Sequence, residues 1–103
     1  MNKITDFAKL EFGELPGAFI LDQHGVKRLR NVSLTRKYLE KQIHGKLERI
    51  SYVHDENYVC YVTQESVIKG LPYNFPTFVL TGHDFYGKTL FLKKERDKRW
   101  INT

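Results

Sequence analysis

The chain contains one cysteine, one methionine, one tryptophan and three prolines in 103 residues. With Cys60 alone, no intramolecular disulfide can form, so the fold has to be held by burial and hydrogen bonding. The three prolines and seven glycines fall in no periodic pattern, which excludes collagen-like and low-complexity chains. No apolar run approaches the roughly 20 residues of a membrane-spanning helix, and the opening MNKITDFAKLEF has no secretory apolar core. The expected location is therefore the reducing cytoplasm, with no membrane partner. His24, His44, His54 and His83 lack the short spacings of zinc ligands, so no metal and no cofactor are expected. There is no GxSxG elbow and no convincing carboxylate pair, and no catalytic residue is assigned.

What the chain does have is 41% apolar and 14% aromatic residues, enough to fill one core at this length. A single domain over residues 1–103 is expected. Ile4, Phe7 and Ala8 fall at helical spacing before GELPG, which gives a short N-terminal helix over Ile4–Phe12. AFIL, DQHG and VKRL read as a hairpin, with strands near Ala18–Asp22 and Val26–Asn31 and Gly25 supplying a positive φ at the turn. SLTRKYLEKQIHG is the clearest helix: Ser33 or Thr35 can cap it, Leu39 and Ile43 share a face, and Gly45 stands where a C-terminal cap would. RISYV and YVCYVT flank the polar break HDEN and should pair antiparallel, with Cys60 as a small buried hydrophobe. TFVLTG and KTLFLKK read as another strand pair closed by a hairpin turn around HDFYG. The fold class that follows is α+β: an antiparallel sheet of four to six strands, able to close as a barrel, packed by one central helix.

The net charge is +5, and it is segregated along the chain. Residues 27–49 hold eight basic and two acidic residues, and residues 86–103 hold six and two, within a slightly acidic frame. Brought together in space, Lys27, Arg28, Arg30, Arg36, Lys37, Lys41, Lys93, Lys94 and Arg96 would make one positive face that attracts phosphate backbones or an acidic protein. Tyr73 and Phe75, held between Pro72 and Pro76, are hard to bury entirely and would add aromatic contacts.

Residues Gly82–Thr89, GHDFYGKT, have the residue spacing of a phosphate-binding P-loop. Bulky His83, Asp84, Phe85 and Tyr86 sit where phosphates would have to approach the backbone, and only fourteen residues remain for the helix and metal carboxylate a P-loop needs. A turn is expected there.

The leading functional expectation is a small non-enzymatic binding or regulatory protein that engages nucleic acid or an acidic protein surface through the basic face. One alternative is a protein–protein or inhibitor module anchored by Tyr73, Phe75, Phe85, Tyr86 and Trp100. The other is a small metal-independent ribonuclease, whose fingerprint would be two histidines, or a histidine and a carboxylate, across a cationic cleft.

Overall fold

The computed structural model describes residues 16–29, 35–53, 55 and 57–94. The helix expected over Ile4–Phe12, together with Arg30, Asn31, Ser33, His54, Arg96, Trp100 and Ile101, lies outside the described residues. Within them the order of elements is β1 (Ala18–Asp22), β2 (Gly25–Arg28), α1 (Arg36–Ile43), β3 (Leu47–Ile50), β4 (Tyr58–Thr63), α2 (Phe75–Thr81) and β5 (Thr89–Lys93). The five strands form one antiparallel sheet in the order β2-β1-β5-β4-β3, so the class is α+β. The sheet is open, with β2 and β3 at its edges, and does not close as a barrel. No helix among the described residues is long and apolar enough to cross a membrane.

The three inner strands carry AFIL, YVCYV and TLFL, near-continuous apolar runs rather than an alternation. Such runs require both faces of the sheet to be covered, and each face has its own core. Leu39 and Ile43 of α1 pack with Ala18, Ile20, Leu90 and Leu92 on one side. Phe19, Leu21, Cys60, Val62 and Phe91 point to the other, where Leu80 of α2 and Phe85 of the connection that follows it meet them. Phe19 and Phe91, opposite each other in the β1–β5 register, stack at 5.0 Å, and Tyr58 meets Phe19 edge-on at 5.8 Å. Burying a phenylalanine side chain completely contributes roughly 1.5–3 kcal/mol, so this trio is a main source of cohesion on its side.

Local chemistry accounts for the ends of the elements. At the β1–β2 turn Gly25 adopts φ 123°, a conformation side-chain-bearing residues rarely adopt. Before β4, Asp55 Oδ2 accepts from the Asn57 and Tyr58 amides, fixing the entry from the HDEN break. α1 starts at Thr35, whose Oγ1 accepts from Tyr38 N at 3.1 Å. At its other end His44, not Gly45, takes the left-handed conformation (φ 62°) and donates its N–H to Glu40 O. Gly45 is required for another reason: a Cβ there would collide with Thr63 Cγ2 on β4.

The main departure from the sequence reading is TFVLTG, which is helix α2 and not a strand. Thr77, Phe78 and Val79 favour strands, but by no more than about 1 kcal/mol each, and the caps decide against them. Asn74 Oδ1 accepts from Thr77 N at 3.0 Å, Pro76 sits in the first turn, and Gly82 N–H closes the helix on Phe78 O at 2.7 Å. There are consequently two helices among the described residues, where one central helix was expected. The segment around HDFYG is a helix-to-strand connection, not a hairpin turn. β5 pairs with β1 and β4 in the middle of the sheet.

Candidate cationic surface on α1

With Leu39 and Ile43 turned to the sheet, the 3.6-residue period puts Lys37 and Lys41 on the outer side of α1, and Arg36, in line with the buried stripe, is exposed in the first turn. These three, Lys46 and Glu40 line an open depression of about 650 Å³. Glu40 is the one acid among its lining residues, and its Oε2 is engaged, accepting from Leu47 N at 2.9 Å and lying 3.6 Å from Arg36 Nη1. Lys27 joins the same side of the sheet: it sits opposite Ile20 in the β1–β2 register, and its Nζ donates to Gln42 Oε1 of α1 at 3.2 Å.

The other sequence-predicted cations are not brought there. Arg28 lies opposite Phe19, which puts it on the α2 side of the sheet. Lys93 pairs with Tyr58 and follows Leu92 in the alternation, so it too belongs to the α2 side. Lys94 is exposed and borders a separate depression of about 490 Å³ with Arg49, Ser51 and Asp55. Lys27, Arg36, Lys37, Lys41 and Lys46 thus gather around α1, whereas Arg28, Lys93 and Lys94 do not extend that surface.

The aromatic candidates flank the start of α2, on the opposite side of the sheet from α1. Tyr73 and Phe75 are 38% and 50% exposed. Phe75 stacks with Phe78, which is 40% exposed and lies on a helix where the sequence suggests a strand. Tyr73 O–H donates to Asp84 Oδ1 at 2.7 Å, and this bond to a carboxylate pushes the phenol up to about 12. Of the other aromatics named as anchors, Phe85 is buried at 4% exposure and cannot serve as one; Tyr86 is half-buried in a bridge with Tyr73. Tyr52 and Ile68 are exposed as well.

Gly82–Thr89 does not form a P-loop. A helix precedes it where a strand is needed, strand β5 follows where a helix is needed, and Phe85 is in the core. Cys60 is 1% exposed, and burial pushes its thiol well above the usual range, away from nucleophilic use. No cluster of metal-ligating side chains occurs among the described residues. His83 packs edge-on against Tyr52 at 4.9 Å, whereas His24 and His44 line one cavity with Lys88. No family model matches the chain, and no curated protein or solved structure matches it.

Proposed function

We propose that this is a small nucleic-acid-binding protein that takes a phosphate backbone on the outer surface of α1. The observation that carries the reading is the gathering of Arg36, Lys37, Lys41 and Lys46 around one open depression whose single carboxylate, Glu40, is already engaged. Arg36 and Lys41 are five residues apart, about 7.5 Å along a helix, a separation within reach of neighbouring phosphates of one strand. Lysine and arginine at that spacing bind phosphates as point charges and forks, releasing counterions without reading sequence. A protein of this kind suits a regulatory or accessory role.

The test is the salt dependence of binding to single-stranded RNA and duplex DNA. With three to five phosphates neutralised, log K against log salt has a slope of about −3 to −4, and Lys37→Ala or Lys41→Ala each flattens it by up to about one. Lys93→Ala, on the other side of the sheet, leaves the slope unchanged. No retention of either nucleic acid at ~50 mM salt rejects the proposal. A second reading, a protein partner, draws on the exposed stacked pair Phe75 and Phe78, since aromatic anchors are enriched in such interfaces. Its sign would be a partner lost in Phe75→Ala and kept in Lys41→Ala.

A further inference from the structure

Beside the C-terminal turn of α1 lies a cavity of about 400 Å³, within the roughly 300–1,000 Å³ of small-ligand sites. Ile43, Leu71 and Pro72 give it an apolar wall, and His24, His44 and Lys88 place nitrogen-bearing side chains at its rim. Asp22 adds an acceptor, its Oδ1 also holding the His24 amide at 2.8 Å. The cavity is braced from behind. Gly87 N–H donates to Pro72 O at 2.7 Å, tying the segment before β5 to the segment before α2. Buried Asn74 donates through Nδ2 to both Gly87 O and Leu21 O, at 2.9 and 2.8 Å. Gly87 also shapes the wall, because a Cβ there would stand 2.7 Å from Leu71 Cδ1.

We propose that this cavity receives one unstacked nucleotide of the bound strand, its base against Ile43, Leu71 and Pro72 and its phosphate on Lys88, His24 and His44. An apolar wall beside the Lys88 ammonium and two imidazole rings matches a ligand with a flat heterocycle at one end and an anion at the other. A purely apolar ligand would leave the rim unpaired, and inorganic phosphate would leave the wall uncovered. Asp22 offers an acceptor for the amino group of a base. The location fits a strand lying on α1: Ile43 and His44 line the cavity, while the next two residues, Gly45 and Lys46, line the cationic depression. The proposal rests on the nucleic-acid reading of α1 and specifies where a base is held.

Amide chemical-shift mapping with a nucleoside monophosphate, ribose 5-phosphate and a short single-stranded RNA tests it. The mononucleotide is expected to shift His24, His44, Gly87 and Lys88, with ribose 5-phosphate at least five-fold weaker. His44→Asn, chosen because asparagine tolerates the left-handed conformation at that cap, and Lys88→Gln should each weaken the mononucleotide about five- to ten-fold. Both should leave the RNA salt slope contributed by α1 within one unit of wild type. If RNA binds and its shifts are confined to α1, with none at Gly87 or Lys88, the cavity proposal is overturned and the α1 reading stands. If the mononucleotide shifts the cavity residues while RNA fails to bind at ~50 mM salt, the cavity is a nucleotide site and the α1 reading falls. Equal affinity for ribose 5-phosphate and the mononucleotide overturns the role given to the apolar wall.

Discussion

Replacing Gly45 by alanine probes the packing of α1 on β4. The added Cβ would overlap Thr63 Cγ2, and Thr63 is only 1% exposed. Thr63 cannot turn away cheaply, since its Oγ1 donates to Ile43 O at 3.1 Å and rotation would break that buried bond. Overpacking of this kind costs about 1–3 kcal/mol, while a glycine-to-alanine change gains roughly 0.4–1 kcal/mol from a stiffer unfolded chain. The net expectation is a loss of about 1–2 kcal/mol, which lowers Tm by roughly 5–15 °C in a domain of this size. Urea unfolding of a four-member cycle with Thr63→Ser isolates the cause. Serine keeps the hydroxyl and deletes the offending methyl, at about 1 kcal/mol on its own. In the Thr63→Ser background, Gly45→Ala should then be neutral or mildly stabilising, a coupling of at least about 1 kcal/mol. Additive effects, or a Gly45→Ala protein as stable as wild type, would refute the steric account.

Asn74→Ala removes the cap of α2 and both side-chain bonds that hold Leu21 O and Gly87 O, so it should cost about 2–4 kcal/mol in denaturant unfolding; a loss below ~1 kcal/mol would contradict the bracing role. The Cys60 thiol should resist a thiol reagent at neutral pH until the protein unfolds, and labelling within seconds would place it elsewhere. Because burial raises that thiol in the folded state, its contribution to stability is complete below the unfolded value of about 8.5 and declines as pH rises beyond it; Cys60→Ala should lose this part of the alkaline decline. The Tyr73 phenol should titrate at about 12 in ultraviolet difference spectra, with the stabilisation from its Asp84 bond present at neutral pH and lost as pH rises through that value. Asp84→Asn should return the phenol toward its ordinary value of about 10, and no change between the two proteins would remove the hydrogen bond as the cause.

Much of this architecture could be read from short stretches of chain, because the forces that set it act over a few residues. AFIL, YVCYV and TLFL are too apolar and too β-branched or aromatic for anything but inner strands, and they became β1, β4 and β5. Thr35 and the Leu39–Ile43 stripe located α1 and so put Lys37 and Lys41 on its outer side, with Arg36 in its first turn. The apolar run YVCYV likewise placed Cys60 in the interior.

Other features depended on contacts that no local window contains. TFVLTG has strand-like composition, yet Asn74 both caps it as a helix and reaches Leu21 O on β1, a bond that exists only once β1 and β5 are paired. The pairing of Phe19 with Phe91 brings β5 between β1 and β4, which determines the side of the sheet for every residue on it. Charge along the chain therefore did not predict charge in space. Lys27 and Arg28 are neighbours in sequence, but successive strand residues point to opposite faces, so Lys27 meets Gln42 of α1 and Arg28 sits across from Phe19 on the other side. The cavity between His24, His44 and Lys88 was equally hidden, since its walls come from four separate connections. The sequence by itself determined which segments are buried and which turn of α1 is cationic; the tertiary structure alone decided which faces meet, because strand order is set by the joint burial of both sides of the sheet.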